Sequence, residues 1–256
     1  MKKAYKKLGY GKDREGLIRR YFSESSNWES HLQNSKTYIL ESARKQVKGT
    51  VVVLGSGWWL DLPVDRLSQM FERLIFADIS HPRQIQKKAE AYPNIELLSG
   101  DVTGALEKIY QRIGKHKKQC RKEDIIEIIR QANAFEFHGI AKADFYVSVN
   151  LLSQLGIFPA AYIKKKCKLP ENEIQEIIGE LQSAHLSSLP KGKTCLISDY
   201  KENCIHKKTD KAIIKPLINC PLPEGSNRKE WLWDFDLSGN YKTCKKTTLS
   251  VLALNF

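Results

Sequence analysis

Five positions in the chain combine a hydrogen-bonding residue type with a place at or just beyond the end of a short apolar run. They are Gly55-Ser56-Gly57 after Thr50–Leu54, Asp78 after Leu74–Ala77, Asp101 after Ile95–Leu98, Asn150 at the carboxyl end of Ala143–Leu152, and Asp199 after Thr194–Ser198. Glycines at such a turn let backbone come close to a ligand, and a helix start beyond them offers free N–H groups. A carboxylate roughly 20 residues further on, as Asp78 is from Gly57, suits the two hydroxyls of a ribose. The combination points to a nucleoside-containing ligand. The third glycine of the dinucleotide fingerprint is missing, with Trp59 and Leu60 in its neighbourhood, which counts against a pyrophosphate.

Other reactive residue types are less organised. Six cysteines (120, 167, 195, 204, 220 and 244) contain no CxxC pair, so reduced thiols and no zinc site are expected; Cys204-Ile205-His206 is the nearest approach to a ligand pair. No metal is expected. His81 precedes Pro82 and reads as a helix start rather than a base. His138 and His185 have no partner legible in the sequence, and no Ser–His–Asp or Cys–His set can be assembled.

The elements that position these residues alternate between apolar runs and helical periodicity. Thr50–Leu54 is a buried strand, Pro63–Arg73 a helix with Val64, Leu67 and Phe71 on one face, and Leu74–Ala77 the next strand. Helix Arg83–Ala91, strand Ile95–Leu98, a helical insertion at about 103–138, strand Ala143–Leu152, helix Pro170–Leu186 and strand Thr194–Ser198 come after them. Trp231–Leu237 and Thr247–Phe256 form a closing antiparallel hairpin around Ser238-Gly239-Asn240. Residues 1–49 read as a basic segment, loosely ordered to about residue 20 because of Gly9 and Gly11. A helical lead-in comes next, whose Tyr21, Phe22, Trp28, Leu32, Tyr38, Ile39 and Val47 cover part of the sheet. The expected architecture is one α/β domain over residues 50–256, with a mostly parallel seven-stranded sheet and helices on both faces.

At 256 residues and 41% hydrophobic composition the chain can bury a substantial core. It has no run of 18 apolar residues and no apolar segment near the N-terminus of secretory type, so no membrane partner and a cytoplasmic location are expected. The net charge of +13 is partly clustered, at Lys2–Lys7, Lys108–Lys122 and Lys164–Lys168. Such clusters open nucleic acid as a partner. No nucleic-acid-binding motif accompanies them, and a solvating surface is the favoured account.

The order and spacing of these motifs resemble a class I S-adenosylmethionine-dependent methyltransferase over residues 50–256. The strand–GxG turn resembles that family's first motif, Asp78 its ribose acid, Gly100-Asp101-Val102 its adenine-contacting motif, and Asp144–Leu151 its fourth-strand motif. The closing hairpin is similar to the family's strands six and seven. The stretches LGSGWWLDLP, FADISHP, GDVTG and VNLLSQL together also resemble a group of bacterial methyltransferase-like proteins. The resemblance implies S-adenosylmethionine as cofactor, held by Gly55, Ser56, Gly57, Asp78, Ile79, Asp101, Val102 and Asn150. Two departures stand out: Val53 replaces the acid before the first glycine, and Trp59 the third glycine. Asp61 is then the candidate for the methionine amine. Asn150, Ser153 and Gln154 lie where acceptor-facing groups belong, without the Asn/Asp-Pro-Pro-aromatic run of base amino-methylases.

The expected function is methyl transfer to an acceptor that the sequence does not identify. Two alternatives remain: an NAD-dependent oxidoreductase, and an inactive methyltransferase-like module binding nucleic acid or protein.

Overall fold

The computed structural model describes residues 3–115, 120–132, 142–243 and 245–256. Strand β1 (Thr50–Leu54) is β-branched for four of its five residues and lies at the centre of the sheet. On one side it pairs in parallel with β2 (Arg73–Asp78), which pairs with β3 (Ile95–Ser99). On the other it pairs in parallel with β4 (Phe145–Val149), which pairs with β5 (Thr194–His206). The order therefore reverses between β1 and β4, the place where such sheets open a crevice at their carboxyl ends.

The sheet has eight strands, not seven. β5 runs for 13 residues rather than ending at Ser198, bending at a bulge between Asp199 and Lys201. Its far half pairs with β6 (Ala212–Pro216), an exposed edge strand not expected from the sequence. The closing hairpin, β7 (Ser226–Asp236) and β8 (Lys245–Asn255), is antiparallel as expected, with β8 laid against the whole of β5.

Alternation along β1 divides the core. Val51 and Val53 face a cluster with Phe76, Phe145, Val147 and Ile197, covered by α2 (Tyr10–Ala43), α3 (Val64–Met70) and α4 (Arg83–Ala89). Val52 and Leu54 face Ile75, Tyr146, Leu196 and Leu254, where Leu186 comes from α8 (Glu171–Ser188). Beyond that face, isoleucines of α5 (Leu106–Lys115), α6 (Lys122–Arg130), α7 (Ile157–Lys166) and α8 pack together. The parts of the 103–138 insertion at 116–119 and 133–138, with His138, Lys117, Lys118 and Cys244, lie outside the described residues.

The N-terminal segment departs from expectation. Gly9 does break the chain, with φ +113, between α1 (Lys3–Leu8) and α2; Gly11 and Gly16 do not, and α2 continues for 34 residues. It kinks at Glu24, whose buried carboxylate accepts from the backbone N–H groups of Leu237 and Ser238 beyond β7. Trp28, Tyr38 and Ile39 are in the core, while Phe22 and Val47 are 73% and 69% exposed and cover nothing. Among the described residues, no helix is long and apolar enough to cross a membrane.

Candidate functional site

The turn after β1 is held from two sides. Gly55, at φ +80, lies so close to β4 that an added Cβ would sit 2.8 Å from the Val149 carbonyl and 2.9 Å from Leu151 Cβ. Gly57, at φ +44, is open: the nearest atoms to its Cβ position are 3.8 and 4.0 Å away, the second being Asp78 Oδ2. Asp78 ends β2 beside this turn and accepts from the Gly57 N–H at 2.9 Å. The Gly55 and Ser56 N–H groups both point to the Ala77 carbonyl. The helix expected over Pro63–Arg73 starts within a residue of that, at Val64, but ends at Met70, and its N-terminus lies seven residues beyond Gly57 and not at the turn. Turn donors therefore go to β2, not into a phosphate cradle. Trp59, at the third-glycine position, adopts φ +63 and turns its ring into the core edge-on to Phe76.

Asp101 caps its own loop. Its Oδ1 accepts from the Thr103 N–H and hydroxyl and its Oδ2 from the Leu106 N–H, fixing the start of α5. Ile79 and Val102 supply apolar walls. His81 stands behind the site: its ring bridges Ser56 Oγ (3.2 Å) and Ser99 Oγ (3.0 Å), tying the glycine turn to the end of β3. Burial pushes it down to about 4, so it is a neutral brace, neither a helix cap nor a base.

Asn150 takes φ +46 just after β4 and joins residues far apart in sequence. Its side-chain amide lies 2.8 Å from Asp61 Oδ2 and 3.1 Å from His31 Nε2. His31, from α2, accepts at Nδ1 from Trp231 Nε1–H (3.1 Å) and stacks on Trp233. Burial drives the imidazole to about 3, so it is neutral. An indole N–H only donates, which leaves the imidazole proton on Nε2, facing the Asn150 amide. Asn150 Oδ1 is buried with no partner when Nδ2 points at Asp61; turning the amide over lets Oδ1 accept from His31 and from a protonated Asp61. Burial first, against the Asn150 hydrogen bond, raises the Asp61 carboxyl. The amide's orientation is thus linked to the Asp61 proton.

A cavity of about 180 Å³ joins these groups at the carboxyl ends of β1, β2, β3 and β4. Gly55, Ser56, Gly57, Asp61, Asp78, Ile79, Asp101, Val102, Asn150 and Gln154 all line it. Ser153 does not: its hydroxyl turns away to donate to Asp199 Oδ1 at 2.7 Å. Burial pushes Asp199 up to about 6. It lies at the bulge in β5, not at a strand end, and lines a neighbouring cavity. Gln154 donates to the Asn150 carbonyl at 2.6 Å. Tyr10, Leu17, His31 and Phe158, which roof the cavity from α2 and α7, and Trp233 from β7 were not expected from the sequence. Tyr10 and Phe158 meet at 4.3 Å between ring centroids, and the Gly9 turn fits against Phe158. The only sequence signal for this roof was the aromatic density of residues 21–38, and it gave no direction.

No protein-family profile and no curated protein matches the chain. Solved structures to which it is similar include a DhpI–SAH complex (11% identity, TM-score 0.35, 94% of this chain and 97% of that one) and a DhpI–SAM–HEP complex (11%, 0.35, 93% and 97%).

Proposed function

We propose that the chain is an S-adenosylmethionine-dependent methyltransferase with a Rossmann-like fold. The observation that carries this is the cavity over the β1–β4 crevice, where an open glycine turn, a strand-end carboxylate, apolar walls and a part-buried acid–amide pair meet. The sheet supports it too, since five parallel strands closed by an antiparallel hairpin are what the resemblance implies, with the edge strand β6 added. The cofactor fits these groups in order. Asp78 keeps acceptor capacity for ribose hydroxyls at the open side of Gly57, Ile79 and Val102 flank an adenine, and Asp61 with Asn150 offers a carboxylate and a carbonyl to an ammonium group. When bound, the sulfonium supplies an activated methyl group and its own leaving group. The chain then has to align donor and acceptor and keep water out. Tyr10, Leu17 and Phe158 serve the second task from the roof. The occupied N–H groups of Gly55, Ser56 and Gly57 count against a dinucleotide, and so against an oxidoreductase.

Thermal unfolding with S-adenosylmethionine, S-adenosylhomocysteine, NAD or NADP tests this. A ligand at 100 times its dissociation constant adds about 2.7 kcal/mol, a rise of a few degrees at this size. The rise is expected with the two adenosyl compounds alone. A rise with the nicotinamides would transfer the protein to the oxidoreductases, and none with any ligand would favour a binding module.

A further inference from the structure

A second cavity, of about 440 Å³, adjoins the first. Leu17, Gln154 and Trp233 line both, so the two share a wall beyond Asn150. If the ribose sits at Asp78 and the amino-acid end at Asp61 and Asn150, the second cavity lies on the far side of that end, over β5 and β8. Its floor and inner wall are apolar and aromatic, with Trp233, Phe235, Leu249 and Ala160, and its rim includes Tyr241, which is 42% exposed.

Four cations line it, and three have anionic company. Lys164 pairs with Glu171 at 2.8 Å, Lys242 with Glu202 at 2.5 Å, and Lys215 acts on Glu171 through space. Arg20 is the exception: among the described residues it makes no ion pair, and its guanidinium lies over the rings of Phe235 and Tyr241, 4.7 and 4.5 Å from their centroids. The two rings stand edge to face, 89° apart, so the guanidinium is held in the angle between them, and its five N–H donors, none of them spent on an ion pair among the described residues, can grip an oxyanion. From this we infer that the second cavity is the acceptor site and that it takes a small molecule carrying one carboxylate- or phosphate-type group, bound by Arg20, with an apolar or aromatic body. Glu171, Asp199 and Glu202 on the same walls disfavour a polyanion such as RNA. Asp199, hydrogen-bonded to Ser153 next to the shared Gln154, faces the body of such a molecule at the inner end.

This rests on the methyltransferase proposal, and the test separates the two. Saturation-transfer NMR is run with benzoate, phenyl phosphate and the neutral isostere benzamide, with and without S-adenosylhomocysteine. The anions are expected to bind at least tenfold more tightly than benzamide. Arg20→Gln should abolish that preference, Arg20→Lys should retain part of it, and S-adenosylhomocysteine affinity should stay within twofold in both. Equal binding of benzoate and benzamide, no binding of either anion, or an unchanged preference in Arg20→Gln overturns the acceptor assignment. A single-stranded RNA 12-mer that displaces the anions at lower concentration also overturns it. Failure of S-adenosylhomocysteine to bind overturns the donor assignment instead, while the anion preference is still read on the free protein.

Discussion

His31 lies flat on Trp233, with ring centroids 3.8 Å apart and planes 2° from parallel. The contact fixes α2 to β7 and, through Asn150, to the end of β4. His31→Ala removes the stack and leaves the Trp231 indole N–H without its acceptor. A buried donor stripped of its partner costs about 1–3 kcal/mol; Trp231 is part-buried, so water offsets some of this, and the lost ring packing adds to the loss. Urea unfolding should give a loss on the order of 2–4 kcal/mol, and S-adenosylhomocysteine affinity should fall because Asn150 loses its brace.

That contact also marks the limit of what the sequence discloses. Gly55–Gly57, Asp78 and Asn150 were legible because strand ends are set by local pattern, and the order of parallel strands brings their ends together. Nothing local in His31 or Arg20 points to β7, because their partners there lie 200 or more residues away and long-range packing leaves no periodic trace. Gly11 misled in the opposite direction, since docking of α2 outweighs its roughly 1 kcal/mol cost to a helix. β6 was hidden because an exposed edge strand needs no apolar alternation.

Gly55 and Gly57 should separate fold from ligand. Gly55→Ala forces a Cβ against the Val149 carbonyl at 2.8 Å, with left-handed strain added, and should cost on the order of 3 kcal/mol or more. Gly57→Ala meets nothing closer than 3.8 Å and should cost about 1 kcal/mol in stability. Its larger effect should be on S-adenosylhomocysteine affinity, because the new methyl stands beside Asp78. Calorimetric titration next to thermal unfolding reads both.

Asp78→Ala removes the charged acceptor offered to a ribose. A hydrogen bond to a charged group contributes about 1.5–3 kcal/mol, so adenosyl-ligand affinity should drop roughly 10- to 150-fold. Because Asp78 also accepts from Gly57, the circular dichroism and melting of the variant are compared first; a folded variant with unchanged affinity removes Asp78 from the site.

Stability should fall with pH on the acid side of neutrality. An unfolded chain protonates its histidines near 6.5, whereas the fold holds His81 and His185 at about 4 and His31 at about 3, all through burial. Between about pH 6.5 and 4 the unfolded state therefore takes up protons that the native state refuses, and the equilibrium moves toward it. Asp199, raised by burial to about 6, and Asp61, also raised by burial, oppose the trend because their native forms gain a proton first. Three histidines outweigh them. His185→Gln, which keeps a hydrogen-bonding group near Ser148, should flatten the slope, and Asp199→Asn should steepen it. Urea midpoints across this range decide.

Asp61 should couple cofactor binding to a proton. Burial raises its carboxyl in the free protein, which favours the protonated form, with the Asn150 amide turned to suit. An ammonium group arriving at Asp61 favours the carboxylate and lowers its pKa. Binding then releases a proton, and affinity rises with pH through the range where free Asp61 titrates. Calorimetric titration of S-adenosylhomocysteine in two buffers of different ionisation enthalpy, repeated across a pH series, should show net proton release that fades as pH rises and free Asp61 ionises. Asp61→Asn should abolish the release and weaken binding, on the order of tenfold or more. Proton release undiminished in Asp61→Asn would assign the proton to another group and leave the amino-acid end of the cofactor without its acid.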